Sequence, residues 1–373
     1  MSAPGKSAGL WLLAWRRLLA DRVAVISMVV VTLFLLLMLA SALNLVAANW
    51  GEEVAVGYAP PTFVGAAKRA TAAAKHIDNE PDAYPGTVTD PLAAEIAELR
   101  ARIEGGAIST VPESDLDLGD VKVVDPLAKE MAEILGSTKA VEVKHELADT
   151  LPFGADKWGR DVIKKTIKGS ETSIFVGLTA ALLATVIGTL LGAFAGYYGG
   201  RVDDFFNWFY NVFTAIPYML LILAIAAVLN QRGVSAVVLI LGLTGWTGIY
   251  RLVRAEYMKH KSREYVQAAD AIGASNARRM FVHIFPNISH VSLVQLSVNA
   301  VGFLKSEVIL SFLGFGVPVD KVSWGSMLNE AQNELILGYW WQLAAATLAM
   351  ALLVTAFSMF TDALRDALDP KIK

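Results

Sequence analysis

The chain has 373 residues, of which 55% are hydrophobic and none is cysteine. The missing cysteines exclude disulfides and thiolate metal sites, so any exported portion must be held together by packing alone. Several uninterrupted apolar runs reach the ~20 residues needed to cross a bilayer core, which predicts an all-α polytopic membrane protein. The net charge of −3 averages regions of opposite sign, and the five histidines show no spacing typical of a metal site.

The first apolar run predicts a transmembrane helix near the N-terminus. A short basic segment precedes it, and the run extends from Val23 to about Ala48. The tripeptide Ala40-Ser41-Ala42 resembles a cleavage site, so a cleaved signal peptide is the alternative, although the length of the run favours a retained span. Residues 1–48 are therefore predicted to form a cytoplasmic N-terminus and a first span, and both interpretations put the next segment outside the cytoplasm.

Residues 49–150 form an acidic insert. Acidic residues outnumber Lys and Arg by 19 to 9, and seven prolines interrupt the stretch, so it is too polar for lipid and too long for a simple connector. The ten residues from Asp90 to Leu99 return 35 residues later, from Asp125 to Ile134, with seven of ten positions identical. Each copy begins with Asp-Pro, typical of an N-cap and a first helical position. We therefore expect a helix pair that packs its apolar stripes together.

A glycine-containing segment leads back into the membrane. Residues 151–169 have the sequence LPFGADKWGRDVIKKTIKG, which predicts a glycine turn followed by an interfacial amphipathic helix with Trp158 as its anchor. A role in gating or in docking a partner is the functional alternative. The candidate residues of this pre-helix motif are Gly154, Asp156, Gly159, Arg160 and Asp161.

Five further apolar runs complete six predicted spans. They cover residues 174–198, 208–229 with Pro217 inside, 234 to about 249, 290–312 and 340–360. Gly188, Gly192 and Gly196 lie four apart on one face of the second span, which allows another helix to approach closely. Residues 151–373 are thus predicted to form a five-helix core. With both termini inside, the basic loop 251–286 lies inside and the acidic insert outside, as the positive-inside rule requires.

The basic loop predicts two short helices. Residues 251–286 hold seven Lys or Arg against three Asp or Glu. Gly273 interrupts the first apolar pattern, and Ser275 follows as an N-cap. The second helix is expected to carry Met280, Phe281 and Ile284 on one face and to end near Pro286. The small residues Ala268, Ala269 and Gly273 would allow another backbone to come close, and Arg278 and Arg279 supply positive charge. Such a helix pair is suited to docking into a groove of a soluble partner. The alternative is an ordinary basic loop between two spans.

A family resemblance rests on this loop. The loop contains the sequence QAADAIG, followed after nine residues by HIFP, and this pattern is similar to the EAA loop of ABC-importer permeases. Gln267, His283 and Phe285 depart from the Glu, Ile and Leu that are usual at these positions. The resemblance implies a coupling helix that sits in a cleft of an ATP-hydrolysing subunit. The positions assigned to this coupling are Glu264, Gln267, Ala268, Ala269, Gly273, Ser275, Arg278, Arg279 and Pro286.

Residues 151–161 and the C-terminal end narrow the resemblance to the C-type permease subunit of dipeptide and oligopeptide ABC importers. The resemblance implies one half of a heterodimeric pore in a bacterial inner membrane, with a second permease subunit, two ATP-binding subunits and an extracytoplasmic substrate-binding protein as partners. The sequence has no phosphate-binding Lys-Ser/Thr loop, so ATP hydrolysis is expected in another polypeptide. No cofactor and no nucleic acid are expected. The acidic insert is longer than the usual family loop, and a platform for the substrate-binding protein is the functional alternative there.

Polar residues within the spans are the candidates for a transport path. Lys305 and Glu307 interrupt an apolar stretch, and ionisable groups are costly there, by about 2.5 kcal/mol or more at the bilayer centre. Glu307 is predicted to face the pathway or the partner subunit near the outer gate, with a snorkelling pair as the alternative. Thr214 and Asn299 are further cavity candidates, with polar contacts between helices as their alternative.

Two other classes of function remain open at this point. A secondary transporter would run on an ion gradient and should carry acidic or histidine relays and inverted repeats. Only Glu307 suggests a relay, and the two halves show no repeat. A membrane-tethered adaptor that presents the acidic insert would need neither five further spans nor the loop signature.

Overall fold

The computed structural model describes residues 10–65, 147–229, 233–318 and 321–368. Within these ranges the regular structure is helical, and the β pairing consists of isolated bridges. The predicted helix pair of the acidic insert lies outside the described residues. The helices are α1 (Leu10–Ala20), α2 (Arg22–Ala42), α3 (Val162–Tyr198), α4 (Gly200–Ala215), α5 (Tyr218–Leu229), α6 (Val234–Thr244), α7 (Thr247–Lys261), α8 (Glu264–Ala271), α9 (Asn276–Phe312), α10 (Trp324–Ile336) and α11 (Trp341–Leu368).

The membrane-spanning helices agree with a polytopic protein. Among the described residues, α2, α3, α9 and α11 are each long and apolar enough to cross a bilayer. Two consecutive pairs meet the same criterion together, but α4 and α5 are bent by 90° and α6 and α7 by 40°. The described part of the chain therefore has four candidate spans, or six if each bent pair forms one span. This confirms the predicted all-helical membrane fold.

The 90° bend divides the predicted third span at Pro217. Proline lacks an amide hydrogen and disfavours helical backbone in the residue before it. Ile216 accordingly has extended backbone, with ψ at 130°. The described part of the chain buries none of the side chains of α4. The first half of this bent pair therefore lies on the surface of the single chain, with apolar side chains such as Trp208 at 61% exposure.

Helix α3 is the central element, because it packs against α2, α6, α7 and α9. Its 37 residues span about 55 Å, well beyond the ~30 Å hydrocarbon core. A Cβ atom at Gly188 would lie 2.6 Å from the carbonyl oxygen of Trp246, and one at Gly192 would lie 2.7 Å from that of Tyr250. The close helix approach predicted from the glycine spacing is therefore confirmed, and α7 is the partner helix.

Helix α9 begins with an irregular turn. Arg279–Ile284 form a π-helical segment, and α-helical hydrogen bonding resumes at Phe285. The predicted helix end near Pro286 is wrong, since the helix continues to Phe312. Pro286 stands in the first turn of the resumed α-helix, where a missing amide hydrogen costs little. Met280 and Ile284 share a buried face, whereas Phe281 is exposed, so the predicted common face of the three residues is wrong for Phe281.

Candidate functional site

The basic loop folds as a helical hairpin, here called the basic hairpin (residues 264–284), in which α8 and the start of α9 are joined at Gly273. Gly273 has a φ of +80°, in the left-handed region that favours glycine. The hydroxyl of Ser275 accepts a hydrogen bond from the amide of Arg278 at 3.3 Å, so Ser275 caps the second helix as predicted. The tight turn leaves the tip of the hairpin protruding, with Ile272 at 84% exposure.

The two faces of the basic hairpin differ in burial. Ala269 is buried against the same chain together with Val266, so its small side chain serves internal packing. Arg279 is partly buried. The other predicted coupling residues are exposed, namely Glu264, Gln267, Ala268, Gly273, Ser275, Arg278 and Pro286. The exposed face is thus the one that a partner can reach.

The buried face of the basic hairpin packs on the ends of α3 and α7. The apolar cluster beneath it joins residues from four helices, namely Ala193, Tyr197, Ile249, Val253, Tyr257, Val266, Met280, Ile284 and Ile288. The hydroxyl of Tyr257 donates to the carbonyl oxygen of Met280 at 3.1 Å. Because close-packed interiors deform little, the hairpin and these two helix ends form one mechanical unit.

The pre-helix motif forms a cap of paired loops over the first turn of α3, here called the loop cap (residues 44–65 and 147–161). Gly154 and Gly159 have φ values of +83° and +76°, which confirms the predicted glycine turn. The carboxylate of Asp161 caps α3 by accepting from the amide of Ile163 at 2.8 Å. The guanidinium of Arg160 lies 5.5 Å from the ring centre of Trp50. The prediction of a separate amphipathic helix before the span is wrong, because α3 begins at Val162 and continues without a break into the span.

Asp156 belongs to an ion cluster that the sequence pattern does not reveal. Its Oδ2 atom accepts from Nζ of Lys165 at 2.7 Å, and the two side chains are 0% and 2% exposed. Lys165 Nζ also donates to Glu330 at 2.6 Å and to Gln342 at 3.2 Å. One ammonium group therefore ties the loop cap to α3, α10 and α11. The available signal was a lysine close to the start of a long apolar run.

Glu334 lies one helical turn beyond Glu330 on α10. Its side chain is 2% exposed, and among the described residues neither carboxylate oxygen has a hydrogen-bond partner. Burial raises the pKa of Glu334 from 4.5 to about 7; the charge of Lys165 lowers it, and the charges of Glu330 and Asp156 raise it. Glu334 is therefore mainly protonated and neutral in the folded protein at pH values below about 7.

The pH dependence of folding follows from this pKa. Glu334 binds a proton more tightly in the folded than in the unfolded chain, so its contribution to stability is lost as the pH rises from about 4.5 through about 7. We expect Glu334→Gln to match the wild type near pH 4.5 and to exceed its stability by about 3 kcal/mol at pH 8. Thermal unfolding in detergent across this pH range measures the difference. Glu53→Gln, at an exposed carboxylate of the loop cap, is the control, and parallel profiles for wild type and Glu334→Gln would contradict the assignment.

The two charged pathway candidates of α9 point to different sides. Lys305 is exposed, whereas Glu307 is 0% exposed. The Oε1 atom of Glu307 accepts a hydrogen bond from the hydroxyl of Ser311 at 2.7 Å. The two ionisable groups therefore do not form a pair, as expected for residues two positions apart on a helix.

The two neutral pathway candidates lie on separate helices. Thr214 is exposed on α4, and its hydroxyl donates to the backbone of Tyr210 at 3.0 Å. Asn299 is partly buried on α9 and accepts from the side-chain amide of Gln295 at 3.3 Å. Both side chains are thus bonded within their own helices, and their place in a transport path stays a prediction.

The region that contains the basic hairpin matches a known protein family. Residues 188–373 match the model of the family described as "Binding-protein-dependent transport system inner membrane component". The matched region begins within α3 and includes the hairpin and every later span.

Known proteins are similar over a longer region. The dipeptide transport system permease protein DppC of Bacillus subtilis is 35% identical over 221 residues, which are 59% of this chain and 69% of that protein. The oligopeptide transport system permease protein OppC of the same organism is 34% identical over 221 residues, or 59% and 72% of the two chains. OppC of Salmonella typhimurium is 36% identical over 219 residues, with the same two shares, 59% and 72%.

Proposed function

The chain belongs to the inner membrane components of binding-protein-dependent transport systems, as an OppC- and DppC-like permease of the peptide ABC importer type, and from this premise we propose how it works. It forms one half of a heterodimeric pore with a second permease subunit. Two ATP-binding subunits drive the pore from the cytoplasm, and an extracytoplasmic binding protein delivers the substrate. The complex resides in a bacterial inner membrane.

The observation that carries this proposal is the exposed basic hairpin packed on α3 and α7. Its tip protrudes, its exposed face holds Arg278 and small residues, and its buried face is continuous with the spans. A protruding element that is packed on two spans is suited to receive motion from a partner and pass it into the membrane. Closure of the ATP-binding subunits would move the hairpin and turn the pore from inward-facing to outward-facing by rigid-body rotation.

The proposed substrates are di- and oligopeptides, since the similar proteins are named for dipeptide and oligopeptide transport. The proposed path lies between this chain and the second permease subunit. Helices α4 and α5 expose many large apolar side chains, and contiguous exposed apolar surface marks membrane or protein contacts. This surface is therefore expected to contact the second permease subunit or lipid. Uptake assays with labelled peptides and the matching binding protein test the substrate class.

The direct test of the proposed complex is co-purification. The tagged chain is solubilised in a mild detergent, and the eluate is assayed for a stoichiometric ATPase and a second permease. Recovery of both supports the proposal. A chain that is recovered without an ATPase and transports substrate in liposomes on an ion gradient would be a secondary transporter instead, and a chain that does neither would match a tethered adaptor.

Charge reversal at the hairpin is expected to uncouple ATP hydrolysis from uptake. The variant Arg278→Glu/Arg279→Glu reverses the exposed charge of Arg278 that the partner would meet, and like-charge contacts at an interface cost several kcal/mol. It also reverses the partly buried charge of Arg279, which is paired with Asp270. Hydrolysis and uptake are measured together in proteoliposomes containing the whole complex. Arg201→Glu/Lys259→Glu changes the net charge equally at two exposed positions outside the hairpin and is the control. Wild-type coupling in the hairpin variant would contradict the docking role.

A further inference from the structure

Two adjacent arginines of the basic hairpin have different surroundings. Arg278 is exposed, whereas the side chain of Arg279 is 18% exposed and turned inward. One Nη atom of Arg279 lies 2.5 Å from the carboxylate of Asp270 at the end of α8. Its other Nη atom donates to the side-chain oxygen of Asn276 at 2.5 Å. The guanidinium thus bridges the two helices of the hairpin across the turn at Gly273.

The same network reaches the end of α3. The hydroxyl of Tyr197 donates to the Asn276 oxygen that also accepts from Arg279, at 3.0 Å. The guanidinium carbon of Arg279 lies 5.9 Å from the ring centre of Tyr197, within cation–π range. The Nζ atom of Lys261, at the end of α7, lies 5.6 Å from the same ring. Four segments therefore converge on one tyrosine ring and one guanidinium.

The value of this network is positional rather than energetic. Asp270 is 63% exposed, and an exposed ion pair contributes little to stability. A guanidinium, however, is planar and presents its donors in a fixed fork, so two acceptors and an aromatic face fix its orientation. Without it, the apolar cluster would still hold the buried face of the hairpin. On the exposed side, however, only backbone hydrogen bonds would restrain the turn at Gly273, where no described atom lies within 4 Å of the Cβ position.

We propose that Arg279 is a positioning residue that locks the two helices of the basic hairpin to each other and to α3, so that displacement of the hairpin reaches the span without being lost at Gly273. Arg278, by contrast, is the charge offered to the ATP-binding subunit. This inference rests on the proposed function. It assigns the two arginines separate roles, one in transmission and one in docking.

The test compares three single variants in the reconstituted complex. For Arg279→Gln we expect the ATP-binding subunits to co-purify and hydrolyse ATP as with the wild type, while uptake per ATP hydrolysed falls about tenfold. For Arg278→Gln we expect less ATPase to be retained on the tagged chain. Lys259→Gln, at an exposed cation on α7, serves as the control and should change neither readout. The unfolding temperature of Arg279→Gln should stay near that of the wild type.

A cross-link replaces the ionic tie with a covalent one. The chain has no cysteine, so Asp270→Cys/Arg279→Cys introduces two thiols that a short bifunctional thiol reagent can join. We expect the untreated double variant to hydrolyse ATP with poor uptake and the cross-linked one to regain most of the lost uptake per ATP. Each single cysteine variant, treated with the same reagent, is the control and should not recover.

The outcomes separate this inference from the proposed function. Wild-type uptake per ATP in Arg279→Gln would overturn the positioning role, and so would loss of ATPase retention equal to that of Arg278→Gln, because Arg279 would then be a docking residue. Failure of the cross-link to restore uptake would also count against it. If the wild-type chain itself retains no ATPase, the proposed function fails and the inference fails with it.

Discussion

A Lys165→Met variant is expected to lose about 3–5 kcal/mol of unfolding free energy, because it leaves the buried carboxylate of Asp156 unpaired and removes the ion-pair partner of the partly exposed Glu330. Methionine keeps the length and apolar stem of lysine but removes the ammonium group that bonds to Asp156 and Glu330. Asp156 is then left 0% exposed without its counter-charge. Its remaining bonds, from the amides of Trp158 and Arg160, stay within the loop cap and do not reach α3.

Unfolding of the detergent-solubilised protein by heat or denaturant measures this loss. Lys164→Met is the matched control, since Lys164 is the neighbouring lysine and its Nζ makes one exposed hydrogen bond, to Asn49. Its loss should stay within about 0.5 kcal/mol. Adding Glu330→Gln to Lys165→Met should recover part of the stability by removing one stranded charge. Equal stability of the two methionine variants would show that the ion cluster does not hold the loop cap in place.

Adding two methyl groups between α3 and α7 is expected to be nearly as damaging. The variant Gly188→Ala/Gly192→Ala places each new Cβ atom against a backbone carbonyl oxygen, at 2.6 Å and 2.7 Å. Backbone atoms cannot swing aside as a flexible side chain can, so the helices must separate. Overpacking of this kind costs roughly 1–3 kcal/mol per site, and we expect about 4 kcal/mol for the pair.

Gly302→Ala is the matched control for this variant. Gly302 also lies inside a spanning helix, but no described atom lies within 4 Å of its Cβ position. Alanine has the higher helix propensity by roughly 1 kcal/mol, so this control should be neutral or slightly stabilising. The substitution is Gly→Ala in both variants, so a difference between their changes in stability measures the cost of overpacking. A double variant as stable as the wild type would mean that the α3–α7 distance relaxes without cost.

Features encoded over short distances were predicted from the sequence. The glycine spacing at 188, 192 and 196 gave the close helix contact, and Ser275 was recognised as a cap from its position after Gly273. Both depend on residues within one or two helical turns. The spans followed from hydropathy for a related reason, since a helix in lipid must satisfy its backbone hydrogen bonds within itself.

Features that depend on distant partners could not be predicted. Lys165 meets Glu330 and Gln342 across 165 and 177 residues, and a single sequence has no signal for such a pairing. Two weaker signals were available. Lys165 is a charge near the start of an apolar run, and Glu330 and Glu334 are like charges four apart on one helix, an arrangement that requires a compensating group or a bound proton. The coupling residues of the hairpin were assigned by resemblance, and their roles stay predictions.

The π-helical turn at Arg279–Ile284 sets the rotational phase of everything that follows it in α9. A π-helical turn holds about one residue more than an α-helical turn, and each residue advances an α-helix by about 100°. Winding the same six residues as a regular α-helix would therefore rotate the downstream helix through more than a quarter circle. Lys305 would turn from its exposed position toward the buried position of Ser306, whereas Glu307 would move together with Ser311 and stay between buried neighbours. The π-helical turn therefore determines which side chains are buried and which are exposed in the second half of α9, some twenty residues further along the sequence.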